Sequence, residues 1–395
     1  MTPEHGRLIH RFFDTSPFSP SGRYLGLTRL PFEDRYPRPG DAAEIVIVDL
    51  DTGALRVVAD TRGWDTQLGA QVQWGGDDSE LFFNDVNVET WRAFGVKLDP
   101  TTGARQVLDG TVYMVSGDGR RAASPSLLRV GVTQPGYGVV VPPERVPAQH
   151  GAPADDGVYV VDTHSGRCHL LVSLRQIVEE AEPGLDLDEY AGGDFYAFHV
   201  KWNPSANRLL VVLRWLPRER ARGTRMRAQL VTMRADGSDI RVAVPASEWS
   251  KGGHHPNWFP DGRHVLMNLR TDGRTMRFVR VHYDGSGLRE LVEGIEGSGH
   301  PTLHPDGRHL LTDAYPREPV AYGDGTVPIR LIDVEAREET ILARVRSTPR
   351  VSGHMQELRL DPHPAWDRTF RLIAFNAFLD GTRRVCVADL SGVVG

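Results

Sequence analysis

Four histidines fall at one position of a repeated pattern, and their type and spacing point to chemistry. Three residues before an aligned aromatic, or its substitute, successive stretches carry Thr15, Gln71, Val112, His199, His255, His300 and His363. Pro follows His255, His300 and His363. One histidine alone at such a place reads as a strand cap that bonds a neighbouring backbone. Four of the chain's 15 in one column read as a site. Imidazoles gathered on one axis oppose each other's protonation, so a bound cation relieves that cost. Neutral imidazole suits Zn, Fe and Ni and, with oxygen ligands added, Mn.

The elements that position these residues are repeats. The stretch Lys251 to Arg270 shows the unit: His-Pro-x-Trp, then Pro-Asp-Gly-Arg, then the apolar run His264-Val-Leu-Met267. Pro fixes φ, Asp caps the turn and Gly takes the left-handed conformation. Aligned on that turn, units start near Phe18, Trp74, Val115, Trp202, Trp258, Leu303 and Trp366. Each continues into an apolar strand, a connection of variable length, an alternating strand such as Glu44 to Asp49, and a hairpin turn such as Asp51-Thr-Gly53. Four strands per unit, repeating every roughly 40 to 60 residues, predict an all-β, seven-bladed propeller.

That propeller is expected to be one domain over residues 1–395. The seventh unit runs out after Val385 to Asp389, while Gly6 to Phe13 precedes the first unit. The N-terminal run is therefore expected to supply the outer strand of the last blade and close the ring, which removes open edges. One helix is expected, near Ser173 to Glu182. Short turns fall on one face of such a ring. The long connections Arg29 to Ala42, Asp85 to Arg92, Arg129 to Asp156, Arg214 to Arg225 and Ala314 to Thr326 fall on the other, where binding usually sits. Trp74, Trp202, Trp258 and Trp366, one per blade, are expected to pack in the core.

Bulk composition narrows the function classes. A net charge of −6 without a basic run argues against a nucleic-acid partner. No segment is apolar enough to span a bilayer or to serve as a signal peptide, so no membrane partner and a cytoplasmic location are expected. The two cysteines, Cys168 and Cys386, lie in different repeats and are expected to be buried thiols. Asp-Gly turns lack the further carboxylates of a calcium loop, and no full Gly-x-Ser-x-Gly elbow occurs.

The chain resembles the oligogalacturonate lyases, seven-bladed propellers among the polysaccharide lyases. The resemblance rests on His254-His255-Pro256-x-Trp258, Gly299-His300-Pro301 with Pro-Asp-Gly after it, Thr312-Asp313-x-Tyr315-Pro316 and His363-Pro364. It covers the last three blades well and the first four as repeat pattern. It implies β-elimination on uronate-containing oligosaccharides, with a manganese ion held by His and Gln side chains and a His as base. By position, His300 and His363 match metal ligands and His255 matches the base. Where the family has a His two residues before the final His, this chain has Asp361, and Gln356 is displaced towards the N-terminus. His199 and Gln356 complete the implied ligand set. The implied cofactor is a divalent metal, Mn2+ first, with Zn, Fe, Ni or Ca as alternatives.

Elimination from a uronate needs a cation at the carboxylate, a base near neutral pKa and a route for the leaving oxygen. A divalent metal supplies the first as a Lewis acid, and a neutral His supplies the second. An Arg would hold a carboxylate bidentately. Arg214 is the first candidate, with Arg92 and Arg270 beside it and Arg29 behind. Tyr315, Trp215 and Trp91 are candidates to stack on sugar rings, and Tyr315 to protonate the leaving group. The competing function is a non-catalytic propeller that binds protein or peptide, as the Tol-system propellers do, since Pro-Asp-Gly punctuation is shared with those. A metal-dependent hydrolase or isomerase using the same histidines is the third.

Overall fold

The computed structural model describes residues 5–219, 225–347 and 358–394. Seven antiparallel sheets follow one another along the chain, each a meander whose sequential strands are neighbours. They form the seven-bladed propeller that the repeat predicts. The Pro260-Asp261-Gly262 turn works as the residue types require. Asp261 Oδ1 accepts the Arg263 and His264 N–H groups, and Gly262 takes φ +65°. Ser173 and Gln176 form a capping box that starts the helix Leu174–Glu180. Two shorter helices, Val130–Thr133 and Ala246–Trp249, were not legible as periodic pattern.

The core lies between blades. Trp74 packs with Ile47, Val72 and Leu81, and its indole N–H donates to Pro17 O at 3.0 Å across the blade boundary. Trp258 repeats the contact with Lys201 O at 3.2 Å. Each such indole therefore ties its blade to the preceding one. Trp202 and Trp366 are buried at the equivalent places, with no partner for their indole N–H groups among the described residues.

The seam differs from the expectation. Leu8–Ile9 pairs with Tyr24–Arg29 of the first blade, with Leu8 opposite Arg29. The bridge Phe18–Leu25 continues that pairing. The run is the inner strand of the first blade, not an outer strand of the last. Counting units from the turn after the inner strand had left this strand without a unit. The last sheet, Ala365–Trp366, Leu372–Leu379 and Thr382–Asp389, has three strands among the described residues. Side chains seal the gap instead. Arg7 N–H donates to Thr382 Oγ1 at 2.9 Å, and Glu33 accepts from the Thr382 hydroxyl and the Arg383 N–H.

The connection expected over Asp85 to Arg92 is also shorter. Strands Leu81–Asn87 and Arg92–Leu98 leave only residues 88–91 as a turn. No helix among the described residues is long and apolar enough to cross a membrane.

Candidate metal and active site

The inner strands break where the histidines stand. His199, His255 and His363 have φ of 49°, 55° and 49°, and Gln71 has 61° in the same column. Such left-handed non-glycine residues cost about 1–3 kcal/mol each and cluster at functional sites. Bulges between Phe198 and Lys201 and between His254 and Asn257 release these residues from the ladder. In the remaining blade Gly299 takes the positive φ, +66°, instead of His300. A Cβ there would lie 2.2 Å from Asp313 Oδ1, so the position requires glycine.

That close approach places a carboxylate behind His300. Asp313 Oδ1 accepts His300 N–H and Nδ1–H, both at 2.8 Å. The imidazole lone pair is thereby directed to Nε2, which is buried and has no partner. Both ring nitrogens of His363 are likewise buried without a partner. His300, His363 and Asp361 offer donor atoms within 4.8 Å of one another, all three buried. Asp361 Oδ2 lies 3.9 Å from His363 Nε2. Arg359 donates to both Asp361 oxygens, at 2.8 and 3.1 Å from its Nε, and so aligns the carboxylate. Two imidazoles with unused lone pairs and an oriented carboxylate suit a divalent cation. Burial, and then the neighbouring His300, hold the His363 pKa well below its ordinary value, which keeps the ring neutral.

His255 stacks on His300 with ring centroids 3.9 Å apart. Its Nδ1 lies 2.8 Å from Gly299 O, an acceptor only, so Nδ1 carries the proton. Nε2 then holds the lone pair, and the Tyr315 hydroxyl bonds it at 3.1 Å. Burial, then His300 and His254, push the His255 pKa well down. Burial raises that of Tyr315 well above its ordinary value. His254 and Tyr315 are only partly buried and lead from this pair towards solvent.

His199 stands apart. Its Nδ1 bonds the Tyr113 hydroxyl, and its ring stacks on Phe12 at 5.1 Å. Phe12 also meets His363, His300 and His255 edge to face, at 4.7, 5.6 and 6.0 Å. A phenyl ring thus fills the centre of the histidine column. Beneath it lies a buried charge cluster: Asp14 pairs with Arg11 at 2.5 Å and with Lys201 at 2.8 Å. Although burial opposes it, the pull of Lys201 and Arg11 takes the Asp14 pKa down to about 2.

The other candidates scatter. Arg214 is half-buried against Phe198, its guanidinium carbon 3.5 Å from the ring centroid. It bonds Thr133 O and Oγ1, and its Nε has no partner. No carboxylate pairs with it among the described residues, and burial lowers its pKa to about 10. Arg270 also has a buried Nε without a partner. Arg92 is exposed and bonds Asp109 O at 3.0 Å. Trp215 is core: its indole N–H donates to Tyr190 O at 2.9 Å, and its ring offers a sugar no open face. Gln356 lies outside the described residues.

Sequence reasoning missed Phe12 and also His10, a fifth buried imidazole 6.4 Å from His363. Both lie outside the repeat register, so column counting could not find them. Asp361 was visible only as a departure from a pattern. Its place two residues before His363 was the available signal.

No protein-family model and no curated protein matches the chain. Its fold is similar to solved structures. An oligogalacturonate lyase in complex with manganese superposes with a TM-score of 0.63 at 14% identity, over 98% of this chain and 92% of that one. An oligogalacturonate lyase from Vibrio parahaemolyticus gives a TM-score of 0.63 at 14% identity, with the same coverage. The β-propeller domain of the trilobed protease from Pyrococcus furiosus, which has an open velcro topology, gives 0.51 at 11% identity over 93% and 92% of the two chains. At these identities the likeness establishes one thing: this chain folds as a propeller of that kind.

Proposed function

We propose that this protein is a metal-dependent lyase that cleaves uronate-containing oligosaccharides by β-elimination. The observation that carries the reading is the trio His300, Asp361 and His363, buried with unused imidazole lone pairs, beside the bonded pair His255–Tyr315. A divalent metal bound there, Mn2+ first among the candidates, would act as a Lewis acid on the uronate carboxylate. His255 Nε2 takes the proton from the carbon next to the carboxylate. The freed electron pair forms the ring double bond, and the bond to the leaving oxygen breaks. In this reading the Tyr315 hydroxyl, bonded to His255, gives its proton to that oxygen, and the proton on His255 then restores the phenol. Arg214 is a half-buried guanidinium with no acidic partner among the described residues, and a substrate carboxylate would supply one. Purified protein should contain a stoichiometric divalent metal. A panel of uronate oligosaccharides should yield the absorbance of an unsaturated uronate. Metal without unsaturated product would replace the lyase by a hydrolase or isomerase.

A second reading, a propeller that binds protein or peptide, is favoured by a separate observation. On the short-turn face the channel opens into a cavity of about 510 Å³, lined by Trp74, Trp202, Trp258, Leu303 and Trp366 and floored by Phe13. Protein free of metal and inert on every uronate, yet binding an extended peptide at this mouth, would establish that reading.

A further inference from the structure

We propose that Phe12 sets the number of ligands at the metal site: it keeps His199 out of the coordination sphere. The inference rests on the metal reading above and concerns this chain's own residues.

Four imidazoles at one level around an axis would, left alone, converge on one cation. A set of four nitrogens is closed, leaves no position for substrate, and favours Zn or Cu over harder ions. Gly299 O and the Tyr315 hydroxyl already occupy the two nitrogens of His255, and one side chain withholds His199. Phe12, fully buried, lies face to face with His199 at an interplanar angle of 19° and edge to face with His363 at 77°. The phenyl ring touches both, while the compact donor group contains His363, His300 and Asp361 and not His199. The Tyr113 hydroxyl takes up His199 Nδ1. What remains is two nitrogens and one carboxylate, a set that keeps positions open and accepts Mn2+ or Fe2+.

Phe12 is fixed from below. The Lys201 ammonium lies 5.1 Å from its ring centroid and 4.4 Å from that of Phe13. Lys201 itself is held by Asp14 and by Pro256 O at 2.8 Å. The segment therefore cannot slide along the channel without breaking a buried ion cluster. Phe12 touches no reacting atom in this scheme and is a positioning residue.

The test compares wild type with Phe12→Ala, Phe12→Leu and Phe12→Ala/His199→Ala by metal titration and by the visible spectrum of the Co2+ forms. In Phe12→Ala the ratio of Zn2+ to Mn2+ affinity should rise on the order of ten- to a hundredfold, the range over which groups behind ligands tune a site. The Co2+ spectrum should gain intensity as His199 joins. Removing His199 as well should restore the wild-type ratio and spectrum. Phe12→Leu keeps the apolar bulk, guards against a variant that fails to fold, and should stay close to wild type. Unchanged metal preference and spectrum in Phe12→Ala, with wild type binding metal, overturn the inference alone. A wild type that binds no divalent metal overturns the metal reading beneath it.

Discussion

The Asp313 carboxylate accepts the backbone N–H of His363 at 3.0 Å, across a separation of 50 residues and a blade boundary. Its other oxygen carries His300. One buried side chain thus fixes two candidate ligands on adjacent blades relative to each other, and one of them through its backbone.

Asp313→Asn keeps the shape but supplies one acceptor oxygen for three N–H donors. Metal affinity should fall roughly 10- to 100-fold, measured by competition with a chelator. Stability should fall by about 1–3 kcal/mol as a buried donor loses its partner. Equal affinity in the variant would remove Asp313 from the site.

His255→Ala should abolish turnover and leave metal content at the wild-type level, because its Nδ1 is committed to Gly299 O and its Nε2 to Tyr315. Tyr315→Phe should lower kcat by roughly 10²- to 10⁴-fold, the usual worth of a placed proton donor. An active His255→Ala variant would reassign the base.

Arg214→Met should separate stability from function. The free protein should melt close to wild type, since a half-buried cation with no acidic partner among the described residues is replaced by an apolar chain of similar length. kcat/KM on a uronate substrate should drop roughly 10- to 100-fold, the worth of a charged hydrogen bond of about 1.5–3 kcal/mol. A lower melting temperature with unchanged kcat/KM would make Arg214 structural.

The Asp14 cluster predicts an acid limit. Its pKa is lowered from 3.8 to about 2, so the folded state binds its proton less readily than the unfolded chain does. The stabilisation is present above pH ~4 and is lost as pH falls through ~2, an amount of about 2 kcal/mol. Asp14→Asn should lack that slope and be less stable at pH 7 by about 3–5 kcal/mol, because Lys201 and Arg11 lose a buried partner. Denaturant melts across this range measure both.

The repeat was legible because turn chemistry is local. Pro260-Asp261-Gly262 specifies its own geometry, and the tryptophan spacing reports the blade period. The histidine column was legible for the same reason, since equivalent positions in a ring meet at its axis. Trp215 shows the limit: exposure depends on what neighbouring segments cover, here Tyr190 and Gly193 from the stretch before it. Phe12 shows another, because its place depends on a strand whose pairing partner, Tyr24–Arg29, the pattern did not assign to it.

The stretch from Leu8 to Thr15 hydrogen-bonds the first blade, touches the last, and carries the phenyl ring to the axis. His10 N–H reaches Asn376 Oδ1 at 3.0 Å to do so. Ring closure and assembly of the candidate metal site are therefore a single event. A nascent chain still missing its final blade would hold no pocket competent to capture a metal. A chain reopened at that junction would take the candidate site apart as it lost its circular shape.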